Sequence, residues 1–289
     1  MINGIALSGC TMRLAFAAPT PAGYGAYIKV VQCNIEDGGQ FTEGRAAGAV
    51  TWDTATRFAR LMSSDALADT AVIGMEEIAA GDDRVQSILI TQTRRFWEVQ
   101  HYEQGIGGHG SGLAIFWRPD LVTLEKDFGT GDVGQIDNGY LIRFGGALFT
   151  ENHSGRRFGF FTGKLVWEGA IFRGVAVPES ERVREAGQLL AWVNGQMGAF
   201  PGASRVLAMD MNSTYESDTW KTLNEEFYDG HSSLATFDSH YHLIFGHRLD
   251  YLWWSPGQGL RAEDGFRDGP RRSEHFGSDH RFVWGEVAI

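Results

Sequence analysis

The chain has 289 residues, 43% hydrophobic and 21% charged, with a formal net charge of −11. That length and apolar content support one large core, or two at most, and with the acidic balance, which repels nucleic acid at long range, tight non-specific binding of it is not expected. No apolar run approaches the length of a membrane span, so stable membrane insertion is not expected.

In chain order, residues 1–26 read as a poorly ordered leader. Within it the run Ile5 to Cys10 (IALSGC) ends in four residues similar to a bacterial lipoprotein cleavage box. No Lys or Arg precedes the box, and the apolar run is too short for a signal h-region. A cytoplasmic protein is the default expectation, with secretion or lipid anchoring left open.

Residues 27–33 (YIKVVQC) are β-branched and predict a strand ending at Asn34. Cys33 reads as a small buried thiol; with Cys10 as the second cysteine, a disulfide is neither demanded nor excluded. Residues 51–63 carry Ala55, Phe58, Ala59 and Met62 at helical spacing, with Thr51 as N-cap. Residues 71–75 (AVIGM) predict a buried strand ending at Glu76-Glu77. A second helix is expected over 82–97, with Val85, Ile88, Leu89 and Phe96 facing a core.

The glycine-rich stretch 105–112, with His109, lacks the lysine and following helix of a P-loop and reads as a turn. Strands are expected over 113–117, 121–124, 140–144, 147–150 and 157–165. The clearest helix covers 180–197, where Val183, Ala186, Leu189, Leu190 and Val193 share a face. A buried strand at 206–209 ends at Asp210, a short helix follows at 218–227, and strands close the chain at 248–254 and 281–287. Helices alternate with strands, yet several strands follow one another directly. That mixture points to an α/β (α+β) domain over 27–289, with two mixed sheets packed face to face and helices outside.

Carboxylates, carboxamides and one imidazole recur at the ends of these strands. Asp210 and Asn212 follow a fully apolar strand; their spacing puts both side chains on one side of an extended backbone, or closes the strand with an Asx-turn. Asp250 faces opposite to Leu249 and Tyr251, and its burial calls for a partner, for which His280 is the candidate. In Asp279-His280 a histidine oriented by a carboxylate can serve as acid or base near neutral pH. Asn34 and Glu77 add an amide and an acid, and Glu77 suits a hard divalent cation such as Mg²⁺. His240 and His242 share a face, but two ligands flanking Tyr241 suggest packing rather than a transition-metal site. Arg94-Arg95, Arg156-Arg157 and Arg271-Arg272 are the paired cations from which a basic groove could be built.

Taken in order, Asn34, Glu77, Asp210/Asn212, Asp250 and Asp279-His280 resemble the endonuclease/exonuclease/phosphatase superfamily of deoxyribonuclease-I-like folds, most specifically in MDMN (209–212), RLDYL (248–252) and GSDHR (277–281). The resemblance covers 27–289. It implies a four-layer α/β/β/α sandwich with the site at one rim. It implies Glu77 as a direct metal ligand, with Asn34 and Asp279 close to the same Mg²⁺ (or Mn²⁺). It implies His280 on the scissile phosphate, oriented by Asp250; Asp210 on the attacking water; and Asn212 holding that water or a phosphoryl oxygen. One departure stands out. The family commonly carries Thr-His-Leu where this chain has Thr162-Gly163-Lys164-Leu165. Lys164 can grip a phosphate as a point charge but is a poor proton donor, and the plain alternative is a solvent-facing lysine. The expectation is a metal-dependent phosphodiesterase acting on nucleic acid. The alternatives are an esterase for a small-molecule or lipid-headgroup phosphate, and a non-catalytic binding module of the same fold.

Overall fold

Alternation along the first strand already sorts the molecule into layers. In the computed structural model, β1 (Tyr27–Asn34) turns Ile28 and Val30 toward one apolar cluster and Val31 and Cys33 toward another. The structure describes residues 26–35, 51–79, 83–102, 111–135, 141–166, 171–172, 175–229, 248–273, 276, 278 and 280–289. Residues 1–25 of the expected leader, Cys10 among them, residues 105–110 of the expected turn with His109, and the His240/His242 pair therefore lie outside the described residues, whereas Ser111 and Gly112, expected in that turn, already belong to a strand.

After β1 come α1 (Thr51–Met62), β2 (Thr70–Ala79), α2 (Arg84–Thr93), β3 (Glu98–Tyr102), β4 (Ser111–Trp117), β5 (Val122–Gln135), β6 (Leu141–Glu151) and β7 (Arg157–Lys164). The remainder is β8 (Ile171–Phe172), β9 (Val175–Ala176), α3 (Glu179–Met197), β10 (Ser204–Asp210), α4 (Asp218–Asn224), β11 (Tyr228–Asp229), β12 (Asp250–Ser255), β13 (Phe266–Arg272) and β14 (Val283–Ala288). Two six-stranded mixed sheets result, in the orders β13-β14-β1-β2-β4-β3 and β11-β12-β10-β7-β6-β5.

Three apolar clusters fill the spaces between four layers. Phe58 and Ala59 of α1 and Leu89 of α2 cover the outer face of the first sheet, against Val31, Ile73 and Phe116. Val30, Val72, Ile115, Phe160, Val206 and Trp254 meet between the sheets. Leu189 and Val193 of α3 cover the outer face of the second sheet, against Phe161, Leu207 and Trp253. The expected α/β/β/α sandwich is the observed one.

Several elements depart from the sequence-based expectation. The second helix stops at Thr93, because Arg94 enters the left-handed region (φ 54°) and caps it by donating its N–H to the Ile90 carbonyl at 2.9 Å. Phe96 is consequently 59% exposed rather than core-facing, and residues 98–102 form β3. The two strands expected over 140–150 are one strand, β6, whose Gly145 and Gly146 pair with β7 without interruption. Strand β13 escaped notice because Gly269-Pro270 sits inside it; its pairing with β14 is broken by two register shifts. The three arginine pairs fall on separate elements: after α2, at the start of β7, and in β13.

Candidate active site

The inward rows of five strands run apolar through the molecule and turn polar at one rim. Along β1 the row Ile28, Val30 continues to Gln32 and Asn34. Along β2 the row Val72, Gly74 continues to Glu76, and along β7 Phe158 and Phe160 continue to Thr162 and Lys164. Along β10 Val206 and Ala208 lead to Asp210, and β12 begins at Asp250 before Leu252 and Trp254. Gln32, Asn34, Glu76, Thr162, Lys164, Asp210 and Asp250 are all buried. The site is the polar end of the inter-sheet core. A Cβ on Gly74 would lie 2.5 Å from Thr162 Oγ1, so only glycine permits the close approach of β2 and β7 beneath it.

Glu76 and Glu77 are neighbours yet serve the same rim. The β2–β4 ladder slips between Glu76 and Ile78, and Glu77 takes φ 55°, so the bulge re-aims its side chain. Glu77 Oε1 then accepts from Lys164 Nζ at 2.5 Å and from Asn34 Nδ2 at 3.1 Å. Asn34 Nδ2 also reaches Asp210 Oδ2 at 3.1 Å and lies 3.4 Å from His280 Nε2. The lysine expected as a phosphate grip or a solvent-facing residue is thus buried and ion-paired with Glu77.

Beyond Asp210 the backbone is not extended: Asn212 is left-handed at φ 48°. Asp210 Oδ1 accepts from the Asn212 N–H at 3.0 Å in an Asx-turn, while Asn212 Nδ2 donates to Leu165 O at 2.8 Å and to Asp210 Oδ2 at 3.2 Å. The turn, not strand alternation, brings the acid and the amide together. Across the sheet, Asp210 stands directly opposite Asp250.

His280 Nδ1 lies 2.8 Å from Asp250 Oδ2, and Nε2 lies 4.0 Å from Asp210 Oδ2. The preceding turn is tied down by Ser278, whose Oγ accepts from the His280 N–H at 3.0 Å and donates to the Asn34 carbonyl at 2.8 Å. Asp279 lies outside the described residues.

Gln32, Thr162 and Ser278 were given no role from the sequence, and Glu76, which the sequence suggested points away from Glu77's site or begins a loop, lies inside β2 and faces the same rim. Three of these four follow from phase alone, because an inward row that starts at Val30, Val72 or Phe158 must carry its polar end inward too.

The electrostatics are those of crowded buried acids. Burial pushes the Glu76 carboxyl well above the usual carboxylate range, with Asp250 and Asp210 adding to it and the Thr162 and Gln32 hydrogen bonds opposing. Asp210 is pushed up to about 7, first by burial, against the pull of His280. Burial also pushes Glu77 up, but the Lys164 charge and hydrogen bond, with His280 and Asn34, outweigh it and hold it below the ordinary value. Cys33, behind the site, is a buried free thiol pushed up by burial.

These residues fit a divalent cation. One ligand atom each of Asp210, Asp250 and His280 lie within 4.8 Å of one another, and Glu77 adds a carboxylate beside them. Four acids share the rim with Lys164 and His280, so a cation would relieve charge that burial makes costly. The oxygen-rich set matches a hard cation better than a soft one. Asn34 now presents Nδ2 to two carboxylates; its Oδ1 is the ligand atom a cation would take.

A family model described as the endonuclease/exonuclease/phosphatase family matches residues 50–280. No curated protein matches the chain. Among solved structures, an endonuclease/exonuclease/phosphatase family protein from Bacteroides thetaiotaomicron superposes with a TM-score of 0.66 at 15% identity, covering 93% of this chain and 97% of that one. A mannosyl-6-phosphatase from the same organism gives 0.65 at 14% identity, over 91% and 100% of the two chains. The human Nocturnin catalytic domain with bound sulfate gives 0.62 at 13% identity, over 91% and 93%. At these identities the likeness is one of fold.

Proposed function

The chain belongs to the endonuclease/exonuclease/phosphatase family, whose members act on phosphoester bonds, and we propose that it is a divalent-metal-dependent phosphodiesterase that hydrolyses nucleic acid by in-line attack of water. The observation that carries the reading is the convergence of Asn34, Glu77, Asp210, Asp250 and His280, drawn from both sheets, on one buried rim.

Each side chain has a chemical task there. Asp210, poised near neutrality by its burial, takes the proton of the attacking water. Asn212 keeps the Asp210 carboxylate in one orientation through its backbone N–H and its amide. Asp250 holds Nδ1–H of His280, which leaves Nε2 facing inward; when doubly protonated, the imidazole donates from Nε2 to a phosphoryl oxygen. Glu77 and Asn34, with Asp279, would hold Mg²⁺ or Mn²⁺, and Asp210 lies in reach. Bound there, the cation would neutralise phosphoryl charge and stabilise the leaving oxygen. Lys164 supplies a fixed positive charge beside Glu77, suited to an anionic substrate.

A second reading, hydrolysis of a small phosphate ester, is favoured by the net charge of −11, which repels long polyanions. A panel of plasmid DNA, single-stranded DNA, RNA, bis-p-nitrophenyl phosphate and simple monoesters, each with Mg²⁺, Mn²⁺ or EDTA, separates the two. Cleavage of polynucleotides selects the first reading; turnover of small esters alone selects the second. Silence on every substrate would make the chain a binding module.

A further inference from the structure

Behind the candidate machinery lies a buried amide with an unusual set of partners. Gln32 is fully buried on β1, in phase with Asn34. Its Nε2 donates to Asp250 Oδ1 at 2.8 Å and to Glu76 Oε2 at 2.9 Å, so both amide hydrogens are spent on carboxylates. Its Oε1 is buried with no hydrogen-bond partner among the described residues. Orphaning a carbonyl is costly, yet the amide has no better orientation: turned over, Oε1 would face two carboxylate oxygens.

The amide is itself braced. Glu76 Oε1 accepts from Thr162 Oγ1 at 2.7 Å, so a line of contacts runs from Thr162 on one sheet through Glu76 and Gln32 on the other and back to Asp250. Asp250 ends the line with its second oxygen on His280 Nδ1 at 2.8 Å. One oxygen of Asp250 is pinned by an amide and the other by the imidazole, which fixes the rotation of the carboxylate at both ends.

We propose that Gln32 is a positioning residue that locks the Asp250 carboxylate in the rotation that receives Nδ1–H of His280. It touches no substrate and acts through Asp250. The proposal rests on the reading that places Asp250 and His280 in phosphoester cleavage. Without the two donors, Asp250 Oδ1 would have neither its amide partner nor a screen against Glu76, and the imidazole would lose its fixed aim.

The test uses Gln32→Met and Gln32→Leu, which keep the buried volume and remove both donors. Thermal unfolding shows which variant retains the fold. With bis-p-nitrophenyl phosphate and Mg²⁺, kcat should fall about 10- to 100-fold with KM within about twofold. In an Asp250→Asn background the same change should cost nothing further, because the residue acts only through that carboxylate. A second readout needs no turnover. Proton NMR of the metal-free protein should show a low-field Nδ1–H signal, assigned by its loss in His280→Ala, that disappears in the Gln32 variants. A signal that persists in them, full additivity with Asp250→Asn, or failure of both variants to fold would overturn the proposal. Absence of any turnover by the wild-type protein would instead sink the phosphoesterase reading, and the NMR signal would still decide the role of Gln32.

Discussion

Asp210 and Asp250 face each other across β10 and β12 as a buried cross-strand pair of like charge. Such a pair is unfavourable in a sheet unless something else answers it. Here the answers come from outside the pair: His280 lies against both, Asn34 donates to Asp210, and Gln32 donates to Asp250. The rim therefore concentrates charge that a purely structural strand end has no use for, as sites that tune proton affinity do.

Removing one member of the imidazole–carboxylate pair should cost far more in rate than in binding. Asp250→Asn and His280→Ala are each expected to lower kcat by about 10²–10⁴-fold with small change in KM, measured by steady-state kinetics on bis-p-nitrophenyl phosphate. A loss confined to KM would remove the two from the chemical step.

The metal-free protein should lose stability as pH rises. Asp210 is raised to about 7 in the folded state, so the native form holds a proton that the unfolded form releases near pH 4. The stabilisation is fully present below about pH 4 and is lost as pH climbs through about 7. A cation takes the deprotonated carboxylate, so millimolar Mg²⁺ should raise Tm more at pH 8 than at pH 5. Equal shifts at both pH values would argue against Asp210 contributing to the cation site.

Glu185 offers a control on another element, outside the set of acids at the rim. It is buried on α3, one oxygen accepts from the Val166 N–H at 3.0 Å, and burial pushes it up to about 7. Its sign is the same as that of Asp210: stability falls between about pH 4.5 and 7, by up to about 3 kcal/mol. Glu185→Gln should flatten that part of the profile, raising Tm at pH 8 relative to pH 5, and leave the Mg²⁺ response intact. Differential scanning calorimetry at the two pH values checks both statements.

Lys164 competes with a cation for Glu77 while attracting an anionic substrate. Lys164→Ala should therefore lower the Mg²⁺ concentration for half-maximal activity, by about threefold to tenfold, and raise KM for the ester. Kinetics unchanged in both respects would leave the lysine with no role at the site.

Much of this architecture was legible in the sequence because apolar periodicity was strong where it mattered. The strands β1, β2 and β10, the face of α3, and the polar strand ends at Asn34, Asp210 and Asp250 all read directly. What escaped was set by backbone conformations that residue type does not announce. The bulge at Glu77 and the left-handed turn at Arg94 belong to non-glycine residues, whereas the Asx-turn at Asp210–Asn212 was one of the two readings the sequence offered. Lys164 was readable in principle, since it continues the Phe158–Phe160–Thr162 row, but a lone lysine argues for solvent until its partner Glu77 is in view. Gln32 was masked for the same reason: its partners come from residues 44 and 218 positions away.

The most direct test is turnover of bis-p-nitrophenyl phosphate by wild-type protein and Asp210→Ala, each stripped with EDTA and then titrated with Mg²⁺ or Mn²⁺. Wild-type activity should be absent after stripping and return with the cation, while Asp210→Ala stays lower by orders of magnitude throughout. Activity that survives stripping, or an Asp210→Ala protein as fast as wild type, would contradict the account.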